Sequence, residues 1–585
     1  MKKYLVFGLI FIAASVYYFV QACPTFYFWD SAELTTAVIM GGVPHPPGFP
    51  FFLILAKLWS WIVPMEKAYA LNLFSAFFAS LGLALWYLAV RKILNIVGYV
   101  KNEAAITFVS ISAVFLMGAS LTYSIQATRF EVYSLNFVGF AAIVLTALAI
   151  LNNQNNSLRL NILLFVLFGI FLGVHNLTIA LTIPGILALL IAEKKIRINQ
   201  AAPGLLGSIG IAILLYAIIF IRATAHPILN WGDPSNINRL MDYILVRGFS
   251  VSTTKLTGGH FADLFGFIGA IFSRQLGIIG LLFALIGLIA LSIKKSRIAL
   301  PLAGILFLNC LSVVLAENYF YENYDLHGYL TISIAILVFF MAGGLLFICH
   351  YLFKKLAANK IKSPEVFSSF IIALLIILGL GPTLKDNLFS ADLSKVKTAR
   401  IYAGKFLSNA PENAIIITSS YNTYFCALAF KSVSPNRQKQ TILNLYDWDH
   451  QWGREEADYI LGCDLKTDLG RQEFYRNVLN IFMKGRPIYI EYDGASAPLV
   501  RYLRPYGPGY LLSISDSSSF INAVRDINIP LELDALGPLP DIESIRTVVL
   551  WLQCRGKYYE QRGDSASARQ YYDAVDSVAA KAQTE

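Results

Sequence analysis

Apolar residues along the chain gather into long runs broken by short polar turns as far as residue 384. A bilayer core of about 30 Å takes about 20 apolar residues as helix. The runs predict membrane-spanning helices near 4–23, 68–90, 104–122, 134–151, 160–174, 177–192, 204–221, 276–293, 298–316, 330–352 and 366–384. The stretch from Leu160 to Ala192 would be roughly 50 Å long as one helix, too long for a single crossing. It reads as a hairpin of two short helices turning at His175-Asn176. Phe51 to Val63 is too short to span and reads as a helix lying in the interface, with Phe52, Trp59, Trp61 and Lys57 along it. The first run follows Lys2 and Lys3, and its "VQAC" end is close to a lipoprotein cleavage box. Many equally apolar spans follow it, which favours a retained helix.

From Lys385 onward the pattern changes, because charges become common and apolar runs shorten. "AIIITSS", "TILNLY" and "PIYIEYD" read as strands, and "GRQEFYRNVLNIFMKG" as helix. Residues 385–552 are therefore expected to form a soluble α/β domain. Residues 553–585, with "RGKYYEQRGDSASARQYYDAVDSVAAKA", are expected to form one helical hairpin of tetratricopeptide type. A lone hairpin cannot bury a solenoid core, so it is expected to cap the tail.

Composition agrees with a polytopic α-helical membrane protein. Mean hydropathy over the 585 residues is +0.58, and only 14% are charged, against about 25% in soluble proteins. The formal net charge of +10 suggests nucleic acid only until its location is considered. The basic residues sit in alternate turns between spans: Lys2/Lys3, Arg91/Lys92/Lys101, Arg159, Lys194/Lys195/Arg197, Lys294/Lys295/Arg297 and Lys354/Lys355/Lys360/Lys362. By the positive-inside rule that side is cytoplasmic. The N-terminus is then inside, the tail domain extracytoplasmic, and no nucleic-acid partner is expected; a bacterial inner membrane fits. Six scattered cysteines show no metal-ligand spacing; Cys426 and Cys463 are one candidate pair in an oxidising compartment, which spacing alone does not decide.

The same rule puts the chemically unusual turns on the outer side. "WDSAELTTAVIMGGVPHPPGFPFF" carries Asp30, Glu33 and His45. Asp-x-x-Glu before an apolar helical stretch is a capping box, with Asp30 as cap, Glu33 reaching back and Gly41-Gly42 ending the helix. A capping carboxylate still has a free oxygen, so capping and catalysis are compatible. "HPPGFP" is stiff, since proline fixes φ and restrains the residue before it; it either presents His45 or merely turns the chain. "TRFEVYSLN" brings Arg129 and Glu131, which also read as a local ion pair. His175-Asn176, Asp233 in "NWGDP", and Asp325 and His327 in "ENYFYENYDLHGYL" complete the set. Each has a structural explanation as turn, cap or pair. Their convergence on one face, where ionisable groups at membrane depth are costly, points to function.

"DSAELTTAVIMGGVPHPPGFPFF", "RFEVYSLN", "NWGDP" and "GVHNLTI" together resemble the GT-C glycosyltransferases. More narrowly, they resemble a family of protein O-mannosyltransferase-like membrane proteins that includes the vertebrate enzyme for plexin-type domains. The resemblance departs at Ala32, where that family usually has glycine, and at His175-Asn176. It implies a GT-C fold, a sugar donor on a polyprenyl phosphate, mannose as the sugar, and inversion at the anomeric carbon. It also implies Ser/Thr of exported proteins as acceptor. In that reading Asp30 is the base, with Glu33 or Glu131 orienting the acceptor or a cation. Arg129 meets the phosphate, with His45, Arg247 and Arg274 in reserve, and His175, Asn176, Asp233, Asp325 and His327 line the substrate. No cofactor is fixed by the resemblance, and a divalent cation is an open expectation. A GT-C transferase acting on a lipid or cell-wall glycan is the near alternative. A lipid-linked sugar transporter is the distant one, though no internal repeat is visible.

Overall fold

Every expected span up to 330–352 falls on helix in the computed structural model. It describes residues 2–100, 102–153, 158–247, 258–314, 319–358, 380–381, 383–434, 439–461, 474–475, 486–513 and 541–584. The span expected at 366–384 lies mostly outside these residues, as do Cys463 and most of "GRQEFYRNVLNIFMKG".

The membrane part comprises α1 (Lys2–Gln21), α2 (Asp30–Met40), α3 (Pro50–Ile62), α4 (Lys67–Val97), α5 (Glu103–Gly118), α6 (Leu121–Thr128) and α7 (Tyr133–Asn152). After these come α8 (Leu158–Leu172), α9 (Asn176–Ala192), α10 (Ile198–Thr224), α11 (Ile237–Ile244), α12 (Gly258–Cys310), α13 (Tyr324–Tyr329) and α14 (Thr331–Ala358). Among the described residues six helices are long and apolar enough to cross a membrane, or seven if α5 and α6, bent by 64°, form one span. The pair α8 and α9 forms the expected hairpin. α12 is broken at Gly277 and Lys295, where the backbone leaves helical geometry. Its second and third segments match the spans expected at 276–293 and 298–316, and its first was not foreseen.

Two kinds of apolar surface hold this bundle. Leu5, Leu9, Ile12, Val16 and Val20 form an exposed stripe on α1, which in a membrane protein is the lipid face. α4 and α7 are instead mostly buried, with Trp86 packed against Phe137 and Phe140 at 6.0 and 5.3 Å between ring centres. Where α12 crosses α14, Gly287 and Gly344 let the backbones touch; a Cβ on Gly287 would lie 1.8 Å from the Phe340 carbonyl oxygen.

The tail holds α15 (Thr398–Asn409), β1 (Ile415–Thr418), α16 (Tyr421–Val433), β2 (Thr441–Asn444), α17 (Gln451–Leu461), β3 (Ile488–Ile490), β4 (Leu503–Tyr506) and β5 (Gly509–Leu512). It ends in α18 (Ile542–Gln561) and α19 (Ser565–Thr584). The strands form one sheet in the order β2-β1-β3-β5-β4. β1 pairs parallel with β2 and β3, in register Ile416↔Ile442 and Ile416↔Tyr489. β3–β5 and β5–β4 are antiparallel. The three expected strands are the parallel ones, and β4–β5 is an additional hairpin. α18 begins at Ile542, so a boundary at 552/553 falls inside it. Its Tyr558 packs on Tyr510 of the sheet at 4.8 Å, so the terminal hairpin shares the tail domain's core.

Turns at one end of the bundle are tied to each other and to the tail by main-chain bonds. Cys23 N–H donates to Thr128, Val43 to Leu229, Phe51 to Gly173 and Leu393 to Gln21, at 2.8 to 3.0 Å. This end carries the acidic and basic groups.

Candidate active site

Asp30 and Glu33 open α2, but they do not cap it as expected. The cap position is Trp29, at φ 58°, with no side-chain capping bond. Asp30 is already the first helical residue. Glu33 is drawn elsewhere. Its Oε1 accepts the main-chain N–H of His45 at 2.5 Å, and its Oε2 lies 2.6 Å from His45 Nδ1. The far end of the helix is as expected, with Gly41 in the left-handed region donating to Ala37.

The Pro-Pro-Gly turn presents His45, as one of the two sequence readings had it. His45 Nε2 lies 3.7 Å from Asp30 Oδ2. Gly48 sits at φ 91°, and a Cβ there would lie 2.6 Å from the Tyr243 ring. Burial disfavours charge on the imidazole, but Glu33 and Asp30 outweigh it and hold its pKa up at about 10.

A second constellation shares Asp30. One carboxylate oxygen from each of Asp30, Glu131 and Asp325 lies within 4.8 Å of the others, as do ligand atoms of Asp30, Glu33 and His45. Glu131 and Asp325 come from the turn before α7 and from α13. Between them lies Arg129, fully buried at the end of α6, with Nη2 2.6 Å from Asp325 Oδ1 and 3.7 Å from Glu131 Oε1. Its strong partner is thus Asp325, far along the chain, rather than neighbouring Glu131. The guanidinium lies 5.8 Å from the centre of the Tyr27 ring.

Four carboxyl groups here face two cations, Arg129 and His45. Burial, together with Asp30, pushes Asp325 up to about 6, against the pull of Arg129. Burial raises Glu131 still more strongly. Glu131 Oε1 is buried without a hydrogen bond. The cluster therefore has room, electrostatically, for a proton or a cation. A divalent ion takes carboxylate oxygens in this way, so the residues that fit one are Asp30, Glu131 and Asp325.

The remaining expected residues divide by environment. His175 caps α9 and is walled by Phe49, Tyr133 and Tyr329 at 6.0, 5.2 and 5.1 Å; Phe49 also packs on His45, at 5.1 Å. Asn176 is spent on the Ile244 carbonyl at 3.0 Å. Asp233 pairs with Arg239, which also binds Glu455 of the tail at 2.6 Å; it ties a turn to the tail domain. His327 is buried, with Nε2 2.6 Å from the Tyr321 carbonyl oxygen. Arg247 is exposed and lies 3.5 Å from Asp242. Arg274 is exposed and stacks 4.5 Å above Tyr321, with no carboxylate partner among the described residues.

One group was not foreseen. Tyr421, first residue of α16 in the tail, places its hydroxyl 2.7 Å from Asp30 Oδ1 and 2.9 Å from Glu33 Oε2. Nearby, Asn422 Oδ1 accepts from Trp29 N–H at 2.9 Å, Glu543 from the Trp29 indole at 2.7 Å, and Asp541 from the Tyr27 hydroxyl at 2.9 Å. The only advance signal was a Ser-Ser turn after a predicted strand, followed by tyrosine. With 31 tyrosines in the chain, that signal selects none.

A family model described as the protein O-mannosyl-transferase TMEM260 N-terminal domain matches residues 30–199. The protein O-mannosyl-transferase tmem260 of Dictyostelium discoideum is 25% identical over 305 residues, covering 48% of this chain and 36% of that protein. The TMEM260 protein of Mus musculus is 38% identical over 65 residues, 11% of this chain and 9% of that one. The chain thus spans about a third or less of these relatives. Among solved structures, ArnT from Cupriavidus metallidurans in the apo state superposes with a TM-score of 0.54 at 12% identity, over 86% of this chain and 97% of that one. The same protein bound to undecaprenyl phosphate gives 0.53 at 11% identity, over 87% and 98%. The resemblance read from the motifs is borne out as a similarity: residues 30–199 match the TMEM260 N-terminal model, and the fold is like that of ArnT over most of the chain.

Proposed function

We propose that the chain is an inverting glycosyltransferase that moves a sugar, most consistently mannose, from a polyprenyl phosphate to a Ser or Thr hydroxyl of an exported protein. The reaction takes place at the outer rim of the membrane. The observation that carries this reading is the meeting of Asp30 with Arg129, Glu131 and Asp325 within one group at one end of the bundle. The TMEM260 match over residues 30–199, which hold Asp30, Arg129 and Glu131 but not Asp325, supports the transfer chemistry and the sugar. The ArnT fold, known with undecaprenyl phosphate bound, supports the lipid phosphate.

Asp30 takes the acceptor hydroxyl proton as the oxygen attacks the anomeric carbon. The new C–O bond forms while the bond from that carbon to the phosphate oxygen breaks, and the lipid phosphate leaves with the electron pair. Phosphate is a good leaving group, so what it requires is positive charge rather than an acid. Arg129 supplies part of that charge, though Asp325 shares it. Arg274, with no carboxylate partner among the described residues, is a second donor of positive charge in this reading. His45, charged at neutral pH by its two acids, adds to the field beside Asp30. A divalent cation on Asp30, Glu131 and Asp325 would add positive charge beside the phosphate. Glu33 orients the base by fixing His45.

The test uses washed membranes and labelled polyprenyl-phosphate-mannose. Wild type should place label in protein, and Asp30→Asn should lose it by about a hundredfold or more. Label in extractable lipid would replace the acceptor with a glycan. Full transfer by Asp30→Asn would remove the base.

A further inference from the structure

We infer that the C-terminal domain completes the active site, with Tyr421 as the residue that positions the base. This rests on the reading of Asp30 as base and goes beyond it, since no sequence motif linked the tail to the chemistry. Among the described residues the Asp30 carboxylate accepts one hydrogen bond, the one from Tyr421. Glu33, by contrast, is held by the main chain and ring of His45. A phenol has a single proton, so Tyr421 donates to one carboxylate at a time. With Glu33 already satisfied, the bond to Asp30 is the one without a substitute. Held through Oδ1, Asp30 keeps Oδ2 turned to the side of His45 and free to take a proton.

Tyr421 is itself fixed from within the tail sheet. Glu491, next after β3, accepts the N–H groups of Ser419 and Ser420 at 3.0 Å and the Ser420 hydroxyl at 2.8 Å. Ser420 caps α16 by accepting from Thr423 N–H at 3.2 Å. The start of α16 therefore sits rigidly at the carboxyl end of the parallel strands, a usual place for function in such sheets. Trp29 and Phe425 flank the tyrosine at 5.9 and 4.4 Å. Asn422, Asp541 and Glu543 hold the 27–29 segment from the same domain. Two tail segments thus converge on the residues leading into Asp30. The phenol also stays protonated, since burial and then the Asp30 and Glu33 charges push its pKa well above the ordinary value.

Removing the donated hydrogen bond loosens the aim of Asp30. For Tyr421→Phe in the full chain, transfer from polyprenyl-phosphate-mannose to membrane protein should show kcat, per mole of folded protein, down about tenfold, while KM for the donor holds. An unchanged kcat, or a loss that appears in KM instead, would overturn the positioning role. Asp30→Asn separates the two claims: full transfer there defeats the base assignment, whereas an inactive Asp30→Asn beside an unchanged kcat for Tyr421→Phe defeats only the role of the tail.

Discussion

Glu33 binds His45 twice, through the main-chain N–H at 2.5 Å and through Nδ1 at 2.6 Å. The double contact locks the Pro-Pro-Gly turn onto α2 and keeps the imidazole charged. The pKa of His45 is held near 10, against about 6.5 in an unfolded chain. Between those values the folded protein binds a proton that the unfolded chain does not. The resulting stability is fully present below about pH 6.5 and is lost as pH rises toward 10. Melting temperature in detergent should fall across that window, and Glu33→Gln should flatten the slope. An equal slope in both proteins would mean that Glu33 does not set the charge of His45.

Arg129 and Asp325 form a buried pair at 2.6 Å. Breaking such a pair from one side leaves an unmatched charge and costs about 3–5 kcal/mol. Arg129→Met and Asp325→Leu should each lower stability, and the double variant should recover much of the loss. The non-additive term is read from a double-mutant cycle of denaturation midpoints. Activity should stay low in the two variants that lack Arg129, if that residue meets the phosphate as proposed.

Gly48 has no room for a side chain, because a Cβ would lie 2.6 Å from Tyr243 and its φ is 91°. Gly48→Ala should therefore displace the turn that carries His45. Transfer should drop, and melting temperature should fall by several degrees, as about 1–3 kcal/mol of strain implies. An unchanged melt and rate would show that the turn yields without cost.

Arg274 stands on the Tyr321 ring and has no carboxylate to satisfy among the described residues. If it meets the lipid phosphate, Arg274→Ala should raise KM for the donor several-fold with little change in melting temperature. A pure kcat effect would move it out of donor binding.

A cation on Asp30, Glu131 and Asp325 predicts that exhaustive chelation abolishes transfer and that added Mg²⁺ or Mn²⁺ restores it. Glu131→Gln should raise the metal concentration needed for half-maximal rate. Chelation without effect would leave the excess charge to be met by a shared proton, as the upward shift of Asp325 to about 6 allows.

Hydrophobic patterning alone placed the long helices of the membrane part, though not α11, α13 or the first segment of α12, because a span must bury its backbone polar groups in helix and needs a fixed length of apolar residues to do so. The α8–α9 turn at His175 and the three parallel strands were legible for similarly local reasons. The motifs also singled out residues that the structure brings together, Asp30, Glu131 and Asp325 among them. Sequence misread what those residues touch. Asp-x-x-Glu has the spacing of a capping box, yet Glu33 serves His45 twelve positions on, because the returning turn offers it an N–H and a ring nitrogen together. Arg129 and Glu131 are neighbours in the chain, but the guanidinium pairs best with Asp325. Tyr421 lies hundreds of residues from Asp30 and belongs to another layer of the fold. Such partners are chosen by how helices and domains pack, and no local periodicity encodes that choice.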